Sequence, residues 1–292
     1  MTFSLKNDNI TLEFVAFGGA LSSIKDADGL EYLWQGDATY WSGQAPVLFP
    51  ICGGLRNDQA VLHGQEISMP RHGLVRKHDF EVLEQNDQSI TFSIKSSEDM
   101  YAQFPYKFEL QIRYDLLEQG VRTNYIVKNL DDKTMPFFVG GHPGFNCPLL
   151  PDETYEDYYL EFEEVETMSV PEVYPDSGLI DVSIRSPFME NSKRLDLDYS
   201  LFAKDSVALD QLQSRSVKLL SKKHDKGLQL DFADFPYLIL WSTTNKGPFI
   251  ALEPWSGLSS DPSKSDDFLD KDGVRFVEPG QEDILSFDIH IL

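Results

Sequence analysis

Residues 108–127 read FELQIRYDLLEQGVRTNYIV, with mostly apolar side chains at every second position on both sides of a polar turn. The inward-facing positions of this pattern are Phe108, Leu110, Ile112 and Tyr114, then Val121, Thr123, Tyr125 and Val127. A period of two puts alternate side chains on one face of a strand. The Gln119-Gly120 pair between the two runs is typical of a hairpin turn. The stretch therefore predicts two antiparallel strands, each with one buried face.

The same alternation recurs along the chain, at residues 10–16, 90–94, 228–232 and 285–291. The run Tyr237 to Trp241 is continuously apolar, which is typical of a strand buried on both faces. Helical patterns are few and short, and the best candidates are 206–212 and 266–269. Many short strands separated by Gly, Pro, Asn and Asp turns predict an all-β fold, either a β-sandwich or a barrel.

The length of 292 residues allows one large domain or two ordinary ones. Candidate linkers are residues 148–156 and 171–178, where prolines and acidic residues cluster. The strand pattern is alike on both sides of these segments. We therefore expect a single domain over residues 1–292.

The chain carries 48 acidic and 25 basic residues, a formal charge of −23. Nucleic acids and anionic membranes are bound mainly through clustered Lys and Arg, so both are disfavoured as partners. The amino terminus lacks a signal-peptide pattern, and no stretch approaches the ~20 apolar residues that span a bilayer. The two cysteines, Cys52 and Cys147, are expected to be reduced thiols. These features predict a cytoplasmic protein that is a monomer or a homodimer.

Two histidines follow extended or apolar stretches and are flanked by Gly or Pro. His72 stands in Met69-Pro70-Arg71-His72-Gly73, and His142 stands in Gly140-Gly141-His142-Pro143-Gly144. A rigid strand that breaks into a turn can hold a polar group at a cleft. Each histidine taken alone is also compatible with a structural role, so both interpretations stay open.

Glu253 ends an apolar strand pattern and is followed by Pro254 and Trp255. Desolvation by apolar neighbours raises a carboxyl pKa toward values useful for a general base. A tryptophan face packs well on the C–H face of a sugar, which makes Trp255 a candidate for substrate binding. The alternative is a surface glutamate with the tryptophan in the core.

Arg56 and Asn57 follow Gly53-Gly54-Leu55 and can donate hydrogen bonds to hydroxyl groups. The two histidines and the glutamate also match the ligand types of a catalytic zinc site. Close histidine pairs, which are common in metal sites, do not occur in the sequence, so we predict no metal. A serine hydrolase is disfavoured because the Gly-x-Ser-x-Gly motif is missing.

Taken together and in this order, these segments resemble the aldose 1-epimerase (mutarotase) family. The matching elements are Gly54-Leu55-Arg56-Asn57 and residues 72–76, 141–146, 252–255 and 279–281. The resemblance implies a large antiparallel β-sandwich of the galactose mutarotase type, a supersandwich. It also implies interconversion of the α and β anomers of a free aldose, with no cofactor.

The resemblance further implies a role for individual residues. Glu253 corresponds to the general base and His142 to the general acid. His72 and Arg56 correspond to groups that hold the sugar hydroxyls and the ring oxygen.

The resemblance also implies a sugar-binding aspartate, for which Asp205 is preferred to Asp210. Gly144 stands where a bulky aromatic residue is common in the family. That difference predicts a wider pocket or a changed sugar preference.

Three functions fit these residues, and an epimerase acting on a neutral hexose is preferred. A hexose-6-phosphate 1-epimerase would need extra basic groups to bind a dianion, and Arg56, Arg71, Arg76 and Lys77 leave that open. A non-catalytic carbohydrate-binding protein would keep the tryptophan and lose the acid–base pair. The expected partner in each case is a small-molecule sugar.

Overall fold

The computed structural model describes residues 2–292, within which lie twenty-two β-strands and one short α-helix. The strands are β1 Thr2–Lys6, β2 Ile10–Val15, β3 Ala20–Asp26, β4 Val47–Leu48, β5 Gln59–Leu62, β6 Gln65–Ser68, β7 Glu81–Gln85, β8 Ser89–Lys95, β9 Phe108–Leu117, β10 Gly120–Asn129, β11 Met135–Phe137, β12 Gly140–Gly141, β13 Gly144–Asn146, β14 Tyr158–Tyr174, β15 Leu179–Asp196, β16 Ser206–Leu209, β17 Ser216–Ser221, β18 Gly227–Asp231, β19 Tyr237–Trp241, β20 Phe249–Trp255, β21 Arg275–Val277 and β22 Glu282–Ile291. The α-helix is α1 Glu98–Gln103, and 3₁₀ turns cover Arg56–Asp58, Val75–Lys77, Tyr155–Asp157, Tyr199–Phe202 and Phe268–Asp270.

The hairpin predicted from residues 108–127 is confirmed as β9 and β10. The two strands pair antiparallel in an unbroken register that sets Tyr125 opposite Ile112. Side chains along β9 alternate between buried and half-buried positions. The pair lies inside a nine-stranded antiparallel sheet with the order β15-β14-β17-β18-β22-β10-β9-β8-β7.

Two smaller sheets cover this large sheet. One has six strands in the order β16-β19-β20-β12-β4, with β13 also paired to β20, and the other has the order β1-β2-β3. A Cβ built on Gly141 of β12 would lie 2.9 Å from the Tyr125 hydroxyl, and the ring of Phe14 in β2 lies 4.7 Å from that of Tyr114. Both small sheets therefore face the nine-stranded sheet across one contiguous apolar core. The fold is a large antiparallel β-sandwich, as predicted.

Both helix predictions were wrong. Residues 206–209 form strand β16, because they pair with β19 at the edge of the six-stranded sheet. Residues 266–269 contain only the start of a 3₁₀ turn at Phe268–Asp270. Pairing between distant strands decided the conformation of β16 where the local pattern suggested a helix.

The segment 171–178, considered above as a linker, is the end of β14 and the turn that leads into β15. Cys52 and Cys147 are free and buried. The one α-helix within residues 2–292 has six residues, and no helix described there could cross a membrane.

Candidate active site

An open cleft of about 190 Å³ lies over β19 and β20 of the six-stranded sheet. Of the residues predicted for the site, the structure brings His72, His142, Asp205, Glu253 and Trp255 to this cleft. Arg56 is not among the residues that line it.

Strand register brings His142 to Glu253. Strands β12 and β13 flank the His142-Pro143 dipeptide, and both pair with β20. The same register that sets Gly140 opposite Trp255 and Gly144 opposite Ala251 puts His142 opposite Glu253. Their side chains touch, with His142 Nε2 lying 3.3 Å from Glu253 Oε2.

Trp255 contacts the same oxygen of the carboxyl group as His142 does. Residues two apart on a strand share a face, so the Trp255 side chain lies beside that of Glu253. The indole Nε1–H donates to Glu253 Oε2 at 3.1 Å. Trp255 is only 3% exposed, which leaves little of its face for a sugar. The structure gives Trp255 a hydrogen bond that orients Glu253, and its stacking on a sugar stays a prediction.

Burial controls the protonation of the pair. Removal from water raises the pKa of Glu253 well above its usual value, and the nearby charge of Arg71 opposes that rise. Burial likewise lowers the pKa of His142 to about 3. Both directions favour the neutral pair, in which Glu253 carries the proton and His142 carries no charge. The neutral pair holds one exchangeable proton, and its two side chains approach to 3.3 Å.

His72 is fixed as a neutral hydrogen-bond donor. Its Nδ1 accepts the backbone N–H of Gly53 at 3.2 Å, which leaves its Nε2–H as the donor. Burial, together with the charges of Arg71 and Arg76, lowers the pKa of His72 well below its usual value. The residue sits at φ 69°, a left-handed conformation that is uncommon outside glycine.

Asp205 lines the cleft on a turn with φ 81°. Its carboxylate accepts the indole N–H of Trp241 at 3.1 Å and an N–H of Arg71 at 3.1 Å. Backbone strain of this kind concentrates at functional sites. Asp210, the less favoured candidate, lies outside this cleft and forms a two-armed ion pair with Arg185 at 2.7 and 2.8 Å.

Arg56 was predicted to bind the substrate, and the structure places it elsewhere. Its guanidinium donates to the backbone oxygens of Asp261, Pro262 and Lys264 at 3.1, 3.2 and 2.8 Å. Its Nε also lies 3.3 Å from the carboxylate of Asp266. These acceptors occupy the planar fork of donors and turn it toward loop 261–266.

The arginines of the cleft are Arg71 and Arg76, which flank His72 in sequence. Arg71 pairs with Asp205 and has a buried Nε with no hydrogen-bond partner in the described part of the chain. The turn between β14 and β15 packs on its guanidinium, since a Cβ built on Gly178 would lie 2.8 Å from Arg71 Cζ. The long β14–β15 hairpin thus reaches the wall of the cleft.

Sequence reasoning missed two tryptophans that line the cleft, Trp41 and Trp241. Trp241 ends the apolar strand β19 in the way that Glu253 ends an apolar run, and that similarity was the available signal. Trp41 lies in a turn-rich loop between Gly36 and Gly43, where nothing in the pattern indicates its target. A Cβ built on Gly144 would lie 2.8 Å from Trp41 Cζ3. The indole therefore fills the space that Gly144 was expected to leave open.

Among residues 2–292, no three His, Cys, Asp or Glu side chains converge in a group that could hold a metal ion. The cleft instead combines a buried carboxyl–imidazole pair with hydrogen-bond donors and acceptors on its walls. Such a set can move a proton at one place and bind hydroxyl groups around it.

A family model and curated relatives both match this chain over most or all of its length. A family model described as aldose 1-epimerase matches residues 1–264. Two curated relatives from Lactococcus lactis subsp. lactis, the plasmid and chromosomal forms of Protein LacX, are 55% and 54% identical to this chain. Each match covers 100% of both sequences.

Solved structures agree with the family match. A galactose mutarotase related enzyme from Lactobacillus acidophilus superposes with a TM-score of 0.94 at 30% identity, covering 100% of this chain and 97% of that one. A galactose mutarotase-like protein from Lactobacillus casei superposes with a TM-score of 0.91, also at 30% identity, and covers 100% of both chains. The supersandwich expected above is therefore the fold of this chain.

Proposed function

The chain belongs to the aldose 1-epimerase family, and on that premise we propose that it interconverts the α and β anomers of a free hexose in the cleft of His142 and Glu253. The observation that carries this proposal is the 3.3 Å contact between the imidazole and the carboxyl group. The two oxygens that exchange protons during mutarotation are both bonded to C1 of the sugar. They lie side by side, so an acid and a base that serve them must be neighbours as well.

Ring opening uses the ionic form of the pair. Glu253 takes the proton of the C1 hydroxyl, and the electrons of that O–H bond form the C1=O double bond. The bond from C1 to the ring oxygen breaks, and the ring oxygen takes a proton from His142. The step leaves a neutral imidazole, a carboxylic acid and an open-chain aldehyde.

Ring closure uses the other form of the pair. Rotation about the C1–C2 bond presents the opposite face of the aldehyde. His142 removes the proton from the hydroxyl that had been the ring oxygen, and Glu253 returns a proton to the carbonyl oxygen. Burial favours this neutral form of the pair in the empty cleft, as the pKa directions of both residues indicate.

The surrounding groups are suited to holding the sugar. His72 offers an N–H, and Asp205 and Arg71 offer an acceptor and donors on one wall. Asp205 is held by two donors, which anchors it and leaves further lone pairs free to accept from a sugar hydroxyl. Sugar hydroxyls both donate and accept, so a wall of mixed polarity fits them.

The test is a panel of α-glucose, α-galactose and their 6-phosphates, followed by polarimetry and by NMR exchange between the anomers. We expect the purified protein to accelerate equilibration of at least one free hexose above the spontaneous rate. A His142→Asn/Glu253→Gln double variant is the control, because it measures the equilibration rate in the presence of protein that lacks the acid–base pair. If every sugar bound but none equilibrated faster, the protein would be a carbohydrate-binding protein without this activity.

A phosphorylated hexose is the second candidate, and the pair of arginines favours it. Arg71 and Arg76 line the same cleft, and Asp205 neutralises only one of them. Guanidinium groups bind phosphate through paired N–H donors. Faster equilibration of the 6-phosphates than of the free hexoses, lost on Arg76→Gln, would select this candidate.

A further inference from the structure

We propose that Trp41 is the positioning residue for His142. Its indole ring fixes the orientation of the imidazole, as a hydrogen bond to Nδ1 usually does for a catalytic histidine. The inference rests on the proposed function for the role of His142. It concerns how the imidazole is held, for which the geometry is independent of any substrate.

The unusual feature is the second nitrogen of His142. A histidine that transfers protons is normally oriented by a partner on its other ring nitrogen. His142 Nδ1 is buried, and it has no hydrogen-bond partner among the residues that the structure describes. Its Nε2 meets Glu253 at 3.3 Å, which constrains one atom and leaves the tilt of the ring open.

Aromatic contacts supply the missing constraint. The ring of Trp41 lies 4.8 Å from that of His142 at an angle of 30°, close to a stacked arrangement. Trp241 meets the imidazole at 5.4 Å and 83°, and His72 meets it at 5.6 Å and 82°. One face of the imidazole is thus covered by an indole, while two edge contacts limit its rotation.

Trp41 is itself firmly seated. Its ring stacks on Phe249 at 5.4 Å, and Phe249 stacks on Trp34 at 4.9 Å. The backbone oxygen of Trp41 accepts the indole N–H of Trp34 at 2.8 Å, and its backbone N–H donates to Asp37 at 2.8 Å. The loop that carries Trp41 is therefore tied at both the ring and the backbone.

Gly144 makes room for this ring. Its Cβ, if present, would lie 2.8 Å from Trp41 Cζ3, and its next neighbour would be Trp34 Cβ at 3.3 Å. The φ of Gly144 is not in the left-handed region, so alanine fits the backbone and its cost falls on the indole. Gly144, two residues after His142, thus contributes to the same positioning by leaving space for the Trp41 ring.

The experiment is a double-mutant cycle between Trp41→Leu and Gly144→Ala, with Trp41→Phe as the conservative variant. We expect Trp41→Leu to lower kcat by about 10- to 100-fold, with a much smaller change in KM, because a misdirected imidazole slows proton transfer more than binding. Trp41→Phe should recover most of kcat. Gly144→Ala should lower kcat in the wild-type background and have little effect in the Trp41→Leu background.

The control is Tyr40→Leu, which removes the neighbouring aromatic ring of the same loop, one that packs on Trp34 at 6.2 Å. It should leave kcat unchanged. Wild-type kcat in Trp41→Leu, or equal effects of Gly144→Ala in both backgrounds, would overturn the positioning role.

NMR separates the contact from the catalysis. The indole that packs on His142 should shift the His142 ring proton signals upfield by its ring current, with the signals assigned from a His142→Asn spectrum. Trp41→Leu should move these signals downfield from their wild-type positions, and unchanged positions would overturn the contact. A wild-type protein that equilibrates no sugar would overturn the proposed function and the positioning role with it, even if the ring-current shift were present.

Discussion

The floor of the cleft and its rim are built on different principles. The floor consists of His142, Glu253 and Trp255, all buried and all set by the register of strands that pair with or belong to β20. The rim consists of Arg71, Arg76 and Asp205, which are half-buried and lie on turns. Asp205 adopts φ 81°, and its position depends on an ion pair and an indole N–H.

This difference predicts that the floor transfers protons and that the rim binds the hydroxyl groups of the substrate. A paired strand fixes its side chains to a fraction of an ångström, which proton transfer requires. Turn residues held by ion pairs adjust more readily, and the binding of hydroxyl groups tolerates such adjustment. We therefore expect floor substitutions to act on kcat and rim substitutions to act on KM.

The largest expected effect is on the floor. Glu253→Gln removes the base and His142→Asn removes the acid, so each should lower the catalysed rate by at least ~10²-fold. Polarimetry with the preferred hexose measures the rate, and a Trp255→Phe variant should fall between these variants and wild type because it loses only the orienting N–H. Near wild-type mutarotation in both Glu253→Gln and His142→Asn would show that the floor residues do not carry out the proton transfers.

The rim should give a smaller effect in a different constant. Arg71→Gln removes the ionic partner of Asp205, and we expect KM to rise by about ten-fold with a smaller change in kcat, since hydrogen bonds to charged groups are worth about 1.5–3 kcal/mol. Arg56→Gln is the matched control, because Arg56 binds loop 261–266 and should leave KM unchanged. An equal rise in KM for both arginine variants would contradict the assignment of Arg71, rather than Arg56, to substrate binding.

The smallest expected effect concerns stability. Burial raises the pKa of Glu253 in the folded protein, so the folded state holds this proton more tightly than the unfolded chain. That contribution is complete below the unfolded pKa of about 4.3 and is lost as pH rises toward the folded pKa. Glu253→Gln cannot ionise and should have the higher Tm near pH 8.

Thermal unfolding from about pH 5 to about pH 8 measures this difference. The gap in Tm between Glu253→Gln and wild type should widen as pH rises. The exposed Glu118→Gln is the control and should show a constant gap. A gap that narrowed with rising pH would contradict the burial argument for the floor.

The floor residues could be predicted from the sequence because they lie on or beside strands whose patterns are recognisable. Glu253 ends an apolar run and His142 follows one, and period-two alternation also predicted the sheet around them. The register that sets one opposite the other depends on pairing across 111 residues, which no local pattern encodes. The family resemblance supplied that association.

The rim was harder to predict for a physical reason. Arg56 and Arg71 both follow turn residues, and the number of acceptors in loop 261–266 decides which of them turns away from the cleft. Trp41 reaches His142 through a loop whose path depends on the glycine at 144 and on two stacked rings. Such contacts are properties of the assembled sandwich.

The direct contact between His142 and Glu253 has a consequence for the solvent. In the proposed ring opening, the proton that one residue accepts is matched by the proton that the other gives away, so the pair would hold one proton before and after each turnover. Ring closure reverses both transfers, so each residue regains its starting protonation state without exchanging a proton with water. Unlike the spontaneous reaction, which buffers accelerate, the enzymatic rate should then be independent of buffer concentration at constant pH.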